Sequence, residues 1–277
     1  MKYNTLYYIE IFYTEKMKNT IKHNALYVGS VGKVFTVLNC FKAGGEELSL
    51  KEVVEHSDFD KSTAQRYLFT LCAEGYIEQN QTTRRYKLGK QVLDLTFHFL
   101  RSNTLVESLN PIMLDLSRTT GEKISLSLLD DNHLVHVMRH QTNNNQYHAS
   151  LIGRRVPLFC TAGGRAVLSH FDEDEWASYM STAIIKPWTT FTMTSPSKIQ
   201  SEIKLTRKRG YGLVYNEFIF DEVALGAAVL SADGRALGAL HVSGVATEWS
   251  GAEYAERFAP YLLNAIRQFE QRNGSEN

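Results

Sequence analysis

The stretch between Ser49 and Gly75 carries the signals of two short helices joined by a tight turn, an arrangement that few folds contain. Ser49 and Glu52 have the spacing of a capping box, which predicts a helix over residues 50–56. After a short break, Asp60 can cap a second helix that ends before Gly75. Two helices joined in this way have the geometry of a helix-turn-helix.

The second of these helices has one apolar and one polar face. Apolar residues recur with helical spacing and predict a buried stripe of Ala64, Tyr67, Leu68, Leu71 and Cys72. The opposite face gathers hydrogen-bonding groups near the beginning of the helix, at Lys61, Ser62, Thr63, Gln65 and Arg66. Such a helix fits the major groove of DNA, where arginine pairs with guanine and glutamine with adenine. Solvation alone also explains a polar helix face, but the surrounding motif favours DNA.

A predicted β-hairpin follows this helix, with strands over residues 76–78 and 85–88 around a polar turn. Alternate side chains of a strand point to opposite sides, so one side of this hairpin is basic. We interpret the hairpin as the wing of a winged helix-turn-helix. Its basic residues Arg84, Arg85 and Lys87 suit backbone phosphates or the neighbouring minor groove.

Net charge gives a mixed indication of nucleic-acid binding. The whole chain carries 30 basic and 30 acidic residues, whereas DNA-binding domains are usually basic. Between Asp60 and Lys90, however, six basic residues stand against three acidic ones. The positive charge is therefore concentrated where the DNA-binding surface is predicted.

Further helices are predicted on both sides of this motif. Apolar residues with helical spacing predict a first helix over residues 29–42. After the wing, a run rich in leucine and phenylalanine predicts a largely buried helix over residues 91–101, followed by another over residues 105–120. We interpret the 91–101 helix as a connector between two domains.

Beyond Gly121 the pattern changes to short strands interspersed with helices. Strands are predicted over residues 123–129, 133–139, 211–215, 223–231 and 236–243. Helices are predicted over residues 161–169 and 197–209, with a polar loop over 142–147 and a C-terminal helix that buries Tyr261. Antiparallel strands with helices on one side indicate an α+β sensor-type domain. The predicted fold class is therefore α+β.

Short motifs follow one another in a characteristic order along most of the chain. They are residues 61–68 (KSTAQRYL), 75–77 (GYI), 86–89 (YKLG), 120–122 (TGE), 153–158 (GRRVPL), 161–166 (TAGGRA), 209–212 (RGYG) and 242–244 (VSG). In this order and spacing they resemble the IclR family of bacterial regulators, named for the isocitrate lyase regulator. The resemblance extends from about residue 30 to residue 266.

The resemblance implies a GAF-like effector-binding domain and control of genes for the catabolism of small molecules. It also implies a homodimer or tetramer, built partly through helices near the DNA-binding domain. In the implied effector pocket, Val214 stands where many members have Asp, Ala224 where many have Cys, Ala228 where Pro is usual, and His241 where many have Ser. The effector's identity therefore does not follow from the resemblance.

The predicted effector site combines backbone amides with two polar side chains. The pair Gly163-Gly164 opens a helix whose first amides could hold a carboxylate or phosphate, or could serve only close packing. The resemblance favours a ligand carboxylate at the amides of Ala162 and Gly163. Ser243 and His241 are two residues apart on one strand and so face the same way. The site is predicted to contain Ala162, Gly163, Val214, Ala224, His241 and Ser243, with a small organic acid as ligand.

Two other classes of protein compete with a regulator. An enzyme could use Cys160 as a thiol nucleophile, or Glu217 with His241 as an acid–base pair, but no local signature accompanies either. A structural nucleoid protein would not need so large and so neutral a second half. Because Cys40, Cys72 and Cys160 lack disulfide or metal-ligand spacing, no metal site is predicted. No cofactor is predicted either.

These observations predict a transcriptional regulator that binds a double-stranded DNA operator with an affinity set by a small organic acid. Its predicted parts are an N-terminal extension (1–27), a DNA-binding domain (28–90), a linker helix (91–104) and an effector-binding domain (105–272). Met17 is a second candidate start. The cysteine usage, the absence of a secretory cleavage site and the lack of a ~20-residue apolar run predict a cytoplasmic protein without membrane contact.

Overall fold

The computed structural model describes residues 23–43, 45–140 and 152–274. The chain divides into two units, one ending at Ser102 and the other beginning at Asn103. The first 22 residues of the predicted extension and the predicted polar loop over 142–147 lie outside the described residues. None of the helices within the described ranges is long and apolar enough to cross a membrane.

The first unit is a winged helix. It contains α1 (Gly29–Ala43), α2 (Leu50–Ser57), α3 (Lys61–Ala73) and an antiparallel hairpin of β1 (Ile77–Gln79) and β2 (Tyr86–Leu88). Leu48 joins the hairpin because its backbone exchanges hydrogen bonds of 2.8 and 2.7 Å with that of Tyr86. The predicted capping box is confirmed: the Ser49 amide donates to the Glu52 carboxylate, and the Glu52 amide donates to the Ser49 hydroxyl.

The core of the first unit lies between α1, α2, α3 and the hairpin. Ala64, Leu68 and Leu71 of α3 are buried, as the helical spacing predicted. They share one cluster with Val37, Val53, Leu48 and Ile77. Burial of this single stripe holds α3 in place and leaves its opposite face to solvent.

Helix α4 (Gln91–Ser102) contains no buried residue, so the prediction that it is largely buried is wrong. The side chains of Leu93, Leu95, Phe97 and Phe99 are 50–66% exposed. They belong to one broad apolar face, opposite a polar face of Asp94, His98 and Arg101. Among the described residues of the first unit, no element buries this apolar face.

The second unit is built on a six-stranded antiparallel sheet. Its strands are β3 (Lys123–Asp130), β4 (His133–His140), β5 (Arg155–Pro157), β6 (Gly212–Tyr215), β7 (Glu222–Leu230) and β8 (Ala236–Val245). They lie in the order β5-β4-β3-β8-β7-β6. Its helices are α5 (Thr104–Thr120), α6 (Ala162–Leu168), α7 (Glu173–Thr182), α8 (Pro196–Arg209) and α9 (Gly251–Gly274). The predicted α+β fold class is confirmed.

Helices cover both faces of this sheet, whereas the sequence analysis expected them on one side. On one face α9 approaches so closely that a Cβ at Gly244 would lie 2.7 Å from the Tyr254 ring. On the other face lies α6, and a Cβ at Gly226 would lie 2.2 Å from the amide nitrogen of Gly163. The sheet is therefore the middle layer of the unit.

Two short elements and one burial assignment differ from the predictions. Strand β5 and helix α7 were not predicted, since one is too short and the other too polar to give a clear period. Tyr261 was expected to be buried in α9 but is exposed. The buried stripe of α9 passes through Tyr254, Phe258 and Leu262, and Tyr261 lies at its edge.

Candidate functional site

The beginning of α3 is fixed by a cap that uses one of the predicted DNA-binding residues. The Thr63 amide donates to Asp60 Oδ1 at 2.9 Å, and the Thr63 hydroxyl donates to Oδ2 at 2.6 Å. Both hydrogen bonds lower the pKa of Asp60, and the bond from the Thr63 hydroxyl has the larger effect. Thr63 is half-buried and its hydroxyl is engaged, so its role lies in shaping the start of the helix.

The outward face of α3 presents the other predicted side chains to solvent. Lys61, Ser62, Gln65 and Arg66 are all exposed, together with Phe69. Within the part of the chain that the structure describes, the side chains of Gln65 and Arg66 make neither a hydrogen bond nor an ion pair. Their donors and acceptors are therefore free to meet base edges.

The wing carries two further predicted cations, Arg84 and Lys87. Arg84 adopts a left-handed backbone (φ 57°) in the turn, and its Nη1 lies 3.4 Å from the Gln81 side-chain oxygen. Lys87 Nζ lies 3.4 Å from the Glu78 carboxylate, and both side chains are about half exposed. An exposed pair of this kind adds little stability. Both cations therefore remain available to a phosphate.

Arg85, the third basic residue of the wing, forms a salt bridge with Glu52. Its Nη2 donates to Glu52 Oε2 at 2.8 Å and to the Glu47 carbonyl at 2.8 Å. The amide and hydroxyl of Ser49, and then Arg85, stabilise the carboxylate and lower the pKa of Glu52 to about 2. Arg85 therefore joins the wing to the start of α2, and its predicted phosphate contact stays a prediction.

A groove runs between α3 and the wing. Its helix side carries Gln65 and Phe69, its wing side carries Gln81 and Arg84, and Lys90 lies in the same lining. Of the predicted reading-face residues, Gln65 lines this groove, where it shares one concave surface with the wing cation Arg84. Such a surface matches a DNA backbone lying between a recognition helix and a wing.

The second unit encloses a small cavity on the sheet face that α6 covers. Its volume of about 40 Å³ has room for roughly three water molecules. The polar lining consists of Ser125, His136, Arg139, Arg154, Thr161, Glu222, His241 and Ser243. The apolar lining consists of Val156, Ala162, Val214, Phe218, Ile219 and Ala224.

Five of the six predicted effector residues line this cavity, namely Ala162, Val214, Ala224, His241 and Ser243. Strand register brings them together: Val214 pairs with Ala224, and Ala224 pairs with Ser243. These three residues therefore form one row across β6, β7 and β8. His241 lies two residues along β8 on the same face.

The sixth residue, Gly163, serves close packing. A Cβ at this position would lie 2.2 Å from Cε1 of His241, and its amide nitrogen faces Gly226 across a gap that no side chain could fill. Of the two interpretations that the sequence left open, the structure favours packing over an amide site for a carboxylate. Charge for an anion must come from elsewhere in the cavity.

His241 does not supply that charge. Its Nε2 lies 2.6 Å from the Ser127 hydroxyl, and its ring lies 5.4 Å from that of His136. Burial, reinforced by His136 and Arg139, lowers the pKa of His241 to about 3. The imidazole is therefore neutral at pH 7 and held in position by Ser127.

The charged groups of the cavity were missed by the sequence analysis. They are Arg139 on β4, Arg154 just before β5, and Glu222 at the start of β7. The Arg154 guanidinium lies 5.1 Å from the centre of the Phe218 ring, a cation–π contact. Arg154 stands inside the quoted GRRVPL motif, whereas Arg139 carried no local signal.

The residues of the alternative enzymatic site are occupied or unreactive. Glu217 accepts a hydrogen bond from the buried Arg165 at 2.7 Å, so it does not pair with His241. Burial raises the pKa of the Cys160 thiol to about 12, which makes it a poor nucleophile. Across residues 23–43, 45–140 and 152–274, no cluster of His, Cys, Asp and Glu could hold a metal ion.

Two family profiles match the chain. The profile described as "IclR helix-turn-helix domain" matches residues 30–81, and "Bacterial transcriptional regulator IclR C-terminal" matches residues 97–271. The chain belongs to the IclR family. Members of the IclR family are DNA-binding transcriptional regulators with an effector-binding domain, and they are not enzymes.

Named relatives of this IclR-family protein include regulators from two other bacteria. The HTH-type transcriptional regulator KdgR of Escherichia coli K12 is 33% identical over 187 residues, covering 67% of this chain and 70% of KdgR. The Pca regulon regulatory protein of Pseudomonas putida is 26% identical over 242 residues, covering 87% of this chain and 82% of that protein.

A solved structure shows the same fold. It is an IclR homologue from Microbacterium hydrocarbonoxydans in complex with 4-hydroxybenzoate, with a TM-score of 0.71 and 17% identity. The match covers 87% of this chain and 98% of that one. At this identity the likeness concerns the fold alone.

Proposed function

We propose that this IclR-family regulator recognises a specific operator of a catabolic operon through α3 and the wing. The observation that carries this proposal is the outward face of α3, where Gln65 and Arg66 are exposed and unengaged. Lys61, Arg84 and Lys87 flank this face and suit the phosphate backbone. Action on the bacterial chromosome places the protein in the cytoplasm.

Selection of bound fragments from sheared genomic DNA of the source organism tests this proposal. We expect the recovered fragments to share one short sequence upstream of genes for the breakdown of a small molecule. Fragments with no shared sequence would contradict operator recognition, because phosphate contacts alone do not distinguish sequences.

We further propose that the protein binds DNA as a homodimer or as a tetramer made of such dimers. Helix α4 exposes Phe97 and Phe99, and helix α1 exposes Val31 and Phe35. A second copy of the chain would cover these apolar side chains, and a two-fold dimer would present two reading helices to two half-sites.

Phe97→Glu is expected to shift the protein toward monomer at micromolar concentration and to weaken operator binding at least tenfold, since the second half-site contact is lost. Sedimentation velocity measures the first effect and a gel-shift titration the second. Phe69→Glu, on the exposed face of α3, is the matched control and should leave the sedimentation coefficient unchanged. A parent protein that is monomeric at this concentration yet binds its operator fully would contradict the proposal.

We propose that the effector is a small organic acid that binds in the cavity of the second unit. Arg139 and Arg154 provide positive charge, while Ala162, Val214 and Ala224 provide an apolar wall. The 4-hydroxybenzoate bound by the Microbacterium homologue is a ligand of this class. An effector can change DNA binding only if it binds two conformations of the protein with different affinities. We expect a coupling free energy between effector binding and operator binding of about 1–3 kcal/mol, or roughly 5- to 150-fold in operator affinity.

Ser243→Ala is expected to weaken effector binding by about 0.5–1.5 kcal/mol, because the cavity would lose one neutral hydroxyl partner. A thermal-shift screen of carboxylic acids and neutral sugars identifies the probe, and calorimetric titration compares the variant with the parent. DNA binding without the acid should be unchanged and serves as the control. If only neutral compounds stabilise the protein, the ligand is not an acid.

A further inference from the structure

Three charged side chains face the cavity without pairing with one another. Arg139, Arg154 and Glu222 all belong to its lining. No nitrogen of either guanidinium lies within 4.0 Å of the Glu222 carboxylate, the distance that defines an ion pair. The two guanidinium groups and the Glu222 carboxylate are close enough to affect one another's pKa, yet none forms an ion pair with another, so each keeps hydrogen-bonding capacity to offer a ligand.

Two buried atoms of the same lining have no partner among the described residues. They are Nε of Arg139 and Nδ1 of His136, and both are shielded from solvent. A buried polar atom without a hydrogen bond costs about 1–3 kcal/mol, so such atoms are rare unless something binds to them. Register places Arg139 opposite Ser125, which lies opposite His241, so Arg139 belongs to one row of residues that lines the cavity.

We propose that the effector is a monocarboxylate that also carries at least one hydroxyl group. Its carboxylate binds Arg139 and Arg154, and its hydroxyl donates to Glu222. This inference rests on the proposed function, since it names the class of acid that the same cavity accepts. It makes Glu222 the residue that determines specificity.

The two arginines and Glu222 together disfavour the neighbouring classes of acid. A plain monocarboxylate satisfies the arginines but leaves Glu222 without a donor in a place where water is displaced. A dicarboxylate puts a second carboxyl group beside Glu222, which costs either like-charge repulsion or the uptake of a proton. Burial raises the pKa of Glu222, whereas the positive charges of Lys123, Arg139 and Arg154 act in the opposite direction. In either protonation state the carboxyl group of Glu222 can accept a hydrogen bond from a hydroxyl group.

The size of the cavity limits the ligand further. About 40 Å³ holds only a few heavy atoms. An acid of three carbons therefore needs less rearrangement than one of six carbons, which must displace more of the side chains that line the cavity, such as Phe218 and Ile219. Both sizes belong in the test.

Calorimetric titration of the full-length protein with two matched series tests the inference. The three-carbon series is propionate, lactate and malonate, with glycerol as the neutral compound. The six-carbon series is hexanoate, gluconate and adipate. In at least one series we expect the hydroxy acid to bind at least tenfold more tightly than both the plain acid and the dicarboxylate. This comparison uses the parent protein and does not depend on the folding of any variant.

Two variants assign the effect to residues. Glu222→Gln should reduce the preference for the hydroxy acid over the dicarboxylate at least tenfold, because the carboxyl group that repels a second carboxylate, or must take up a proton to accept it, is gone. Arg139→Gln should weaken all acids at least tenfold. The matched control is Arg155→Gln: this half-exposed arginine pairs with Asp130 and does not line the cavity, so the titrations should match those of the parent.

The outcomes separate this inference from the proposed function. If the plain acid or the dicarboxylate of both series binds as tightly as the hydroxy acid, the inference is overturned and the organic-acid effector stands. If glycerol binds and no acid does, or if no compound of either series binds, both are overturned.

Discussion

Replacing Arg165 with alanine is expected to lower the free energy of unfolding of the second unit by about 3–5 kcal/mol. The side chain is 1% exposed and pairs with the buried Glu217. Without Arg165, the Glu217 carboxylate would remain in a poorly solvated site with no counter-charge. Removing one partner of a buried pair costs this much because an uncompensated charge is left behind.

Arg165 also satisfies backbone groups that no other side chain reaches in the described structure. Its Nε donates to the Phe159 carbonyl at 3.0 Å and its Nη1 to the Leu213 carbonyl at 3.1 Å. Glu217 in turn accepts from the Met193 amide at 3.0 Å. The pair therefore ties α6 to the beginning of β6 and to the segments before α8 and β7, and its loss is felt by all of them.

Urea unfolding followed by tryptophan fluorescence measures the effect on this unit alone, because the three tryptophans, Trp176, Trp188 and Trp249, all lie in it. Arg155→Ala is the matched control. It removes a half-exposed pair with Asp130 and should cost no more than about 1 kcal/mol. Equal losses in the two variants would show that the buried pair is not a source of stability.

The elements that the sequence predicted correctly are those determined by neighbouring residues. The capping box at Ser49 and Glu52 and the cap at Asp60 involve residues three positions apart, so sequence spacing contains the whole interaction. The buried stripe of α3 follows in the same way from helical periodicity. The pattern of strands and helices beyond Gly121 then indicated the α+β second domain.

The interactions that were missed join residues far apart in the sequence. Arg85 and Glu52 form a salt bridge although they are 33 positions apart in the sequence, so the basic charge of Arg85 alone did not indicate this interaction. Arg139 reaches the cavity through the pairing of β3 with β4, where the register shifts between Leu126 and Ser127. A one-residue shift moves side chains to the other face of a sheet, so simple alternation cannot tell which β4 residues face the cavity.

Arg66→Ala is expected to weaken binding to the selected operator by about 1–3 kcal/mol, roughly 5- to 150-fold, while leaving binding to random DNA nearly unchanged. The reason is that a bidentate contact to a base edge is made only at the correct sequence. Arg66 is exposed on α3 and makes no ion pair in the described structure, so its removal should not disturb the fold. Gel-shift titrations on the genomically selected fragment and on a scrambled fragment of equal length measure the difference.

The matched variant is Arg84→Ala, which removes a cation from the wing beside the same groove. Since a phosphate contact is independent of sequence, this change should weaken operator and scrambled DNA alike and reduce the salt dependence of binding by about one counterion. Arg85→Ala removes the salt bridge to Glu52, so it should also lower thermal stability, which Arg84→Ala should not.

If Arg66→Ala weakens both fragments equally, Arg66 contacts phosphate and the sequence is read by another part of the surface. If it weakens neither, the outward face of α3 does not enter the major groove, even though the chain remains an IclR-family regulator.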